Sequence, residues 1–504
     1  MKRLLLLLAL GGCASKSAPP PALAAAAAAR PTTPDKGPDL SYWEHRKDLL
    51  GPPPPPQPRP LELPRVERWK LKNGLEVIVV PRAELPAVSF GVAIKAGGYD
   101  EQRSSLGVSS FTAEMLRKGT KRSNADQISQ LIDGVGGSFD ATAASEHTGV
   151  SCTVLAKDRG VCFRLLAETL LTPTFPEAEM GEIRDRMLGG INQRYDDPGS
   201  LAGAHFAARL FGDQHPDGWV LMPEDVRRIT RADLVKFWKT YYRPNNSLLV
   251  MAGDVGDLGA LRARIEKDLG SWQGGPVPAR PEFRIPEHKG TRTLLVDKED
   301  LTQTTLVFGH AGIRHTDPAW YGVTLMNYVL GGSDFSSRLM REVRSRRGLT
   351  YGISSSFGDS FYQGAFEVSA ATKNESAWDA FAASVAEIRR MKAEGPTAEE
   401  VNKAHGYYAG SYPFQLQSAP SVASSIVGAE LHGLGVAYVK ELAVRLGEVD
   451  AAAARAAAVT YLHPDDLTVV IVGRGEAVAP QLQKAGVKFE RIGYRDPFNA
   501  AAAR

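Results

Sequence analysis

The chain has 504 residues, of which 43% are hydrophobic and 23% are charged, and its formal net charge at pH 7 is +3. This composition is ordinary for a globular protein with room for two or more domains. A net charge this small, with basic residues dispersed along the sequence, argues against a nucleic-acid-binding protein.

The N-terminus has the pattern of an export signal. Two basic residues precede a leucine-rich stretch, residues 4–10, that is too short to span a membrane. The stretch ends in Leu10-Gly11-Gly12-Cys13, which resembles the bacterial lipobox, so we expect a signal peptide over residues 1–13 and lipid attachment at Cys13. The next residue is not aspartate, which favours the outer membrane, facing the periplasm. An ordinary secretory signal with an incidental cysteine is the alternative, and in both cases the chain is exported.

Residues 14–62 are rich in alanine and proline and predict an extended tether between the anchor and the folded body. Order begins near residue 63, and residues 71–80 indicate a hairpin with an Asn73-Gly74 turn. Further strands are expected at residues 88–95, 138–144 and 147–155, and helices at residues 123–135, 160–171, 176–194 and 231–242.

Cys152 and Cys162 are the cysteines that remain after the signal peptide. In an exported protein they could pair. Because Cys152 lies in an alternating strand and Cys162 opens the next helix, the sequence favours two buried free thiols, with a disulfide as the open alternative.

The histidines give no obvious metal site. Glu146 and His147 are neighbours at a predicted strand, so their side chains should point to opposite faces and cannot bind one ion together. His310 and His315 flank a glycine turn and are predicted to be loop residues. No His-x-x-Glu-His or His-x-x-x-His pattern occurs in the sequence.

An internal repeat indicates two similar domains. Residues 242–253 and 461–473 both follow a predicted helix and pass through a proline into an apolar strand that ends in glycine. Pro244 and Pro464 are about 220 positions apart, which is a domain-sized period. We expect an α+β fold in which each domain is a mainly antiparallel sheet with helices packed on one face. The domains are predicted over residues 63–273 and 291–490, with a Pro/Gly-rich linker over 274–290 and a tail over 491–504.

Two stretches carry the functional information. Residues 107–120, GVSSFTAEMLRKGT, predict a short helix after a glycine. Residues 331–352, GGSDFSSRLMREVRSRRGLTYG, predict a turn, a helix over 335–347, a C-cap at Gly348 and a strand. Arg344 and Tyr351 can then face one place beyond the helix end, where a guanidinium beside a phenol suits a polarised carbonyl or an oxyanion. Helix-dipole and strand preferences offer a purely structural explanation for the same two residues.

Together these stretches resemble the M16 family of metallopeptidases (pitrilysin/insulinase, mitochondrial-processing-peptidase-like). The resemblance runs from about Pro64 to Gly473. The family's zinc helix reads roughly G-x-x-H-F-x-E-H-x-L-x-K-G-T, and its second half carries an R-x-x-x-[GQ]-L-x-Y element, here Arg344 to Tyr351. The resemblance implies two halves that face each other like a clamshell around a peptide-binding chamber.

The zinc helix departs from the family pattern. Two histidines at i and i+4 can bind one Zn²⁺ while the intervening glutamate acts as base on the bound water. This chain has Ser110, Ala113 and Glu114 at those positions, and Gly190 at the expected position of the third ligand. Serine is a poor zinc ligand and alanine cannot accept a proton, so we expect no catalytic zinc in this chain.

The resemblance therefore implies the non-zinc subunit of a heteromeric peptidase whose zinc is bound by a partner. Arg344 and Tyr351 would act as auxiliary groups at the partner's site, and the substrates would be unfolded peptides. The partner would be a zinc-bearing M16 chain in a heterodimer, or a second copy in a homodimer. The alternative is a catalytically inactive lipoprotein that serves as a peptide-binding or assembly scaffold. A lone peptidase with a rearranged site is a third hypothesis and requires stoichiometric zinc in the purified chain.

Overall fold

The computed structural model describes Arg46 and residues 65–498. The predicted signal peptide, the lipidation site Cys13, the tether apart from Arg46, and residues 499–504 of the tail lie outside the described residues. Residues 65–498 belong to one compact unit, which contains two β-sheets with their helices.

The first half of the described chain forms a six-stranded sheet. Its strands are β1 (Glu67–Lys70), β2 (Glu76–Pro81), β3 (Ala87–Ile94), β4 (Ser138–Ala143), β5 (Thr148–Leu155) and β6 (Ser247–Gly253). They lie in the order β1-β2-β6-β3-β5-β4, and all neighbours are antiparallel except β2 and β6. The Asn73-Gly74 turn joins β1 and β2 as predicted, with φ of Gly74 at +97°.

The second half forms a second six-stranded sheet. Its strands are β7 (Arg292–Asp297), β8 (Gln303–Ala311), β9 (Thr350–Phe357), β10 (Ala365–Lys373), β11 (Thr468–Gly473) and β12 (Phe489–Gly493). They lie in the order β12-β7-β11-β8-β10-β9, with β7 parallel to both β11 and β12. The sequence repeat has a structural counterpart, because β6 and β11 each lie between a parallel and an antiparallel neighbour.

Helices surround both sheets. In the first half they are α1 (Val108–Met115), α2 (Ala125–Asp133), α3 (Arg159–Leu171), α4 (Glu177–Asp196), α5 (Pro198–Phe211), α6 (Pro223–Arg228), α7 (Arg231–Tyr241) and α8 (Leu258–Leu269). In the second half they are α9 (Trp320–Asn327), α10 (Ala377–Glu394), α11 (Ala398–Gln415), α12 (Ala419–Leu431), α13 (Gly435–Gly447), α14 (Ala451–Tyr461) and α15 (Gly475–Lys484). Two π-helical segments, Tyr328–Gly332 and Met340–Arg346, lie between α9 and β9.

Each sheet has its own helices on one face, as the sequence predicts, and these contacts form the two largest apolar cores. The opposite face of each sheet is covered by helices of the other half. Side chains of α11, α12 and α13 pack on β2 and β6, and side chains of α5 pack on β7, β8 and β11. This explains why β6 and β11 are buried along their whole length and are apolar without alternation.

The linker is held by both halves. The Arg280 guanidinium donates to the carboxylate of Asp100 at 2.7 Å and to the backbone oxygen of Glu146 at 2.6 Å. The hydroxyl of Tyr362, from the second half, donates to the backbone oxygen of Pro281. Residues 274–290 thus connect the halves as an extended segment with side-chain contacts on both sides.

Several local expectations are corrected. Cys152 and Cys162 form a disulfide with a Cα–Cα distance of 5.7 Å, so the prediction of free thiols is wrong. Strand β5 and helix α3 are adjacent in the core, which brings the two sulfurs together. His310 lies within β8, not in a loop, because β10 pairs along all of β8. Glu146 and His147 lie in the turn between β4 and β5, so the strand argument about their faces does not apply.

Helix length and hydropathy bear on membrane insertion. Among residues 65–498, no single helix is long and apolar enough to cross a bilayer. The consecutive helices α12 and α13 together have the length and composition of a membrane span, but the chain bends by 103° between them. In the structure this pair covers the first sheet.

Candidate functional site

Helix α1 contains the stretch that resembles a zinc helix, and a carboxylate outside the helix binds its N-terminal end. Gly107 precedes it with φ at +90°, which side-chain-bearing residues rarely adopt. The buried carboxylate of Glu101 accepts hydrogen bonds from the Gly107 N–H (2.7 Å), the Ser109 N–H (2.7 Å) and the Ser109 hydroxyl (2.5 Å). Burial raises the pKa of Glu101, and these hydrogen bonds act in the opposite direction. The N-terminal end of α1 is therefore an intact, well-anchored scaffold.

The α1 positions that would hold two zinc ligands and the base lack this chemistry. Ser110 is half-buried and Ala113 has no exposed surface. Glu114 has the only ionisable side chain among them, and Arg186 of α4 binds it through Nε, 3.1 Å from Oε2, and through Nη2. The carboxylate of Glu114 is thus engaged by a guanidinium.

The predicted third ligand position, Gly190, lies on α4 and carries no side chain. Gly190 is exposed, and a β-carbon built on it would meet no atom within 4 Å. There is room for a ligand side chain, but the residue carries none. Arg186 lies four residues earlier and therefore on the same face of α4. One further turn earlier, Glu182 binds Lys118 at 2.8 Å, so ion pairs line the contact between α1 and α4.

These residues do not fit a catalytic zinc ion. A catalytic zinc site needs three protein ligands, usually histidine and carboxylate. The four positions offer one carboxylate, already bound to a guanidinium. No catalytic step through zinc can be assigned to this chain's α1.

The second motif lies on a π-helical segment and the strand that follows. The observed helical segment begins at Arg338, later than the predicted start at residue 335, and is π-helical from Met340 to Arg346. Gly348 ends it with φ at +64°, and its N–H donates to the backbone oxygen of Arg344 at 2.9 Å. Short π-helical segments occur often at functional sites.

Of the two motif side chains, Tyr351 is exposed and Arg344 is half-buried. The guanidinium carbon of Arg344 lies 4.7 Å from the ring centroid of Phe335, whose side chain is 67% exposed. Tyr351, near the start of β9, is 78% exposed, although tyrosines in strands are usually at least partly covered. Among residues 65–498, the Arg344 guanidinium has no hydrogen-bond or ion-pair partner, and the Tyr351 hydroxyl has no hydrogen-bond partner.

The neighbouring arginines differ from Arg344. The other arginines of residues 338–347 each bind a carboxylate: Arg338 and Arg341 bind Glu400, and Arg346 and Arg347 bind Glu342. The partners Phe335 and Arg186 were not anticipated from the sequence. Arg186 could have been found from its i, i+4 spacing to Gly190, whereas nothing local singles out Phe335.

The comparisons with known proteins identify the family. The family model described as Insulinase (Peptidase family M16) matches residues 77–214, and the model described as Peptidase M16 inactive domain matches residues 228–405. The chain belongs to the M16 peptidase family.

Relatives with known names or structures extend over most of the chain. An uncharacterized zinc protease of Mycobacterium tuberculosis is 31% identical over 72% of this chain and 83% of its own length. An uncharacterized zinc protease of Streptomyces coelicolor is 28% identical over 81% of this chain and 88% of its own length. The crystal structure of a peptidase M16 inactive domain from Pseudomonas fluorescens superposes with a TM-score of 0.76 at 27% identity, covering 81% of this chain and 98% of that chain.

Proposed function

We propose that this chain is the non-zinc subunit of an M16-type zinc peptidase in the cell envelope. It supplies Arg344 and Tyr351 to the active site of a zinc-bearing partner of the same family, which hydrolyses unfolded peptides. The names of the relatives support peptide hydrolysis as the reaction class.

The contrast among the arginines of residues 338–347 carries this proposal. An arginine with a structural role normally finds a carboxylate or a backbone carbonyl, as the other four arginines of residues 338–347 do. Arg344 instead lies against an exposed aromatic ring, and Tyr351 presents an exposed hydroxyl four residues beyond the segment's last arginine. Donors without partners among residues 65–498 are suited to a substrate or to a second subunit.

Each residue has a distinct task in this arrangement. A zinc ion held by the His-x-x-Glu-His helix of the partner would activate the water that attacks the peptide carbonyl. Tyr351 donates a hydrogen bond to the oxygen of that carbonyl as negative charge develops on it. Arg344 is permanently charged and orients the carbonyl of the bound peptide. Phe335 restricts the Arg344 side chain by stacking, which lowers the entropy lost on substrate binding.

The location in the envelope is part of the proposal. The disulfide between Cys152 and Cys162 supports an oxidising compartment. Lipid attachment at Cys13 would anchor the chain to the outer membrane, facing the periplasm, and residues 14–62 would let the body reach a partner.

Reconstitution tests the function. The purified chain is assayed on an unstructured fluorogenic peptide alone, then mixed with an M16 protein of the same organism that has an intact His-x-x-Glu-His helix. We expect no hydrolysis by the chain alone and hydrolysis when the two are mixed. A partner variant without its catalytic glutamate serves as the control, since it should form the complex and remain inactive.

Two results would contradict the proposal. One is a complex whose rate equals that of the zinc-bearing chain alone. The other is the absence of any complex or activity with every such partner, which would favour a scaffold that only binds peptides.

A further inference from the structure

Four titratable side chains from distant parts of the sequence meet between the two halves. Glu146 comes from the β4–β5 turn, His315 from the loop after β8, Asp359 from the β9–β10 loop, and His432 from the end of α12. The degenerate zinc positions on α1 and α4 contribute none of them. Imidazole and carboxylate are the side-chain groups that commonly bind a divalent transition metal.

Three of these side chains have the geometry of a ligand set. One ligand atom each from His315, Asp359 and His432 lie within 4.8 Å of one another. Nδ1 of His315 contacts Oδ1 of Asp359, and Nδ1 of His432 is 3.7 Å from the same oxygen. The two imidazole centroids are 4.9 Å apart. Both rings therefore direct Nδ1 toward one carboxylate.

The other ring nitrogens are already occupied. Nε2 of His432 is 2.9 Å from Oε2 of Glu146, and a carboxylate can only accept, so Nε2 carries the proton. Nε2 of His315 is 2.8 Å from the hydroxyl of Tyr438. Glu146 is itself held by the N–H of Phe361, which donates to Oε1 at 2.5 Å. Metal-binding histidines usually have a hydrogen-bond partner of this kind on the nitrogen that does not bind the metal.

This arrangement leaves a place for a cation. In neutral His432 the protonated Nε2 leaves a lone pair on Nδ1, which faces a carboxylate oxygen. Two acceptors that face each other repel unless a proton or a metal ion lies between them. His432 and His315 are 9% and 7% exposed, whereas Asp359 is 60% exposed and lines, with His432, a cavity of about 410 Å³. An ion can thus reach the histidines from solvent past Asp359.

The geometry points to a divalent transition-metal site formed by His315, Asp359 and His432, with Glu146 and Tyr438 orienting the imidazoles. Two imidazole nitrogens and one carboxylate suit Zn²⁺ or its neighbours Co²⁺ and Ni²⁺ and not Mg²⁺ or Ca²⁺, which prefer oxygen ligands. Glu146 belongs to the first half and the three ligands to the second. Metal binding at this site therefore stabilises the contact between the halves. The inference does not depend on the proposed peptidase role.

The test uses the full chain, stripped with a chelator and titrated with Zn²⁺ by calorimetry, with melting temperature and the visible spectrum of Co²⁺ as further readouts. We expect one equivalent of Zn²⁺ and a higher melting temperature. Asp359→Asn and His432→Gln should abolish stoichiometric binding, and Glu146→Gln should weaken it by roughly 10- to 100-fold. Asp359 is exposed, so its variant should fold, which circular dichroism checks.

Two control variants locate the ion. His147 lines the same cavity, and Glu114 belongs to the degenerate zinc helix. Neither His147→Gln nor Glu114→Gln should change the binding of Zn²⁺. The inference is overturned if the folded chain binds no stoichiometric Zn²⁺, Co²⁺ or Ni²⁺. It is equally overturned if Asp359→Asn and His432→Gln bind as the unaltered chain does. Zinc lost only in the Glu114 variant would place the ion on α1 instead.

Discussion

The guanidinium of Arg186 binds the carboxylate of Glu114, so a permanent positive charge lies where the family places a zinc ligand. An ion pair between α1 and α4 therefore occupies one of the degenerate zinc positions. This relationship makes the restoration of zinc binding depend on a residue outside the zinc motif.

We predict that Ser110→His, Glu114→His and Gly190→Glu together restore zinc binding only weakly while Arg186 is present. Adding Arg186→Ala should tighten binding roughly 10-fold or more, since like charges a few Å apart interact by about 1–4 kcal/mol. Competition with a chromophoric chelator measures this, in an Asp359→Asn background that removes the second proposed site. Equal affinities with and without Arg186 would contradict it. Peptidase activity should remain absent, because position 113 is still alanine.

Tyr351→Phe should lower kcat of the reconstituted complex by roughly 10²–10³, because one hydrogen bond to the developing oxyanion is lost. KM and complex formation should change little. Tyr407 is a matched control, since it is also exposed (49%) and lies outside the motif. Steady-state kinetics of Tyr351→Phe beside Tyr407→Phe provide the comparison, and an unaltered kcat in the first variant would exclude the role given to Tyr351.

Arg338 and Glu400 form a nearly buried ion pair whose loss should destabilise the second half. Their side chains are 4% and 16% exposed, and their closest atoms are 2.6 Å apart. Burial alone would raise the pKa of Glu400, but hydrogen bonds from Arg338 and from Thr397 lower it to about 2. We expect Glu400→Gln to reduce the free energy of unfolding by at most about 3–5 kcal/mol, because the buried charge of Arg338 then keeps only the more distant carboxylate of Glu387, 4.0 Å away.

Denaturant unfolding at pH 7 checks this loss. Glu399→Gln is the control, because its neighbouring carboxylate is exposed and pairs with Lys403 at the surface. The pH dependence has a definite sign. Because the folded pKa is below the unfolded value of about 4.3, the contribution of Glu400 is present above that value and is lost as the pH falls towards 2. A loss as small as that of Glu399→Gln would refute the prediction.

His205 should make the protein sensitive to mild acid. It has no exposed surface, its ring centroid is 4.3 Å from that of Phe498, and neither ring nitrogen has a hydrogen-bond partner among the described residues. Burial lowers the pKa of His205 to about 4, and the charges of Arg209 and Arg194 act in the same direction. The unfolded chain therefore binds this proton at higher pH than the folded chain does.

The change of stability with pH has the opposite sign to that expected for a salt-bridged histidine. Above about pH 6.5, His205 should not affect the free energy of unfolding. As the pH decreases from 6.5 to 4, His205 should lower that free energy by at most about 3 kcal/mol. His205→Leu should remove that part of the decrease. Unfolding free energies at pH 7.5, 6 and 5 measure it, with pH 7.5 as the internal reference. A variant with the same slope as the unaltered chain would show that His205 is not responsible.

Local patterns predicted much of the fold. The Asn73-Gly74 turn, strand β3 and helix α2 follow from turn chemistry, alternation and an N-cap at Asn124, all of which depend on neighbouring residues. Helix α5 and helices α10 to α13 received no prediction. Their apolar faces pack on sheets of the other half or on distant strands, and a single sequence does not say which surface covers them.

The candidate site was likewise predicted in part from the sequence and decided in part by the tertiary structure. The sequence by itself determined that Ser110, Ala113, Glu114 and Gly190 cannot hold a catalytic zinc ion, because the identity of the side chains decides this. It also predicted that Arg344 and Tyr351 belong to a motif like that of the family, and it predicted the two similar halves. Only the tertiary structure decided that Arg186 binds Glu114 and that Arg344 differs from its neighbouring arginines.

The tertiary structure also decided the disulfide and the meeting of Glu146 with His432. These contacts join residues far apart in the chain or in different secondary-structure elements, up to 286 positions in the last case. Propensity, periodicity and capping act over a few residues, and which distant side chains meet is decided by how the two sheets and the helices of the opposite halves pack.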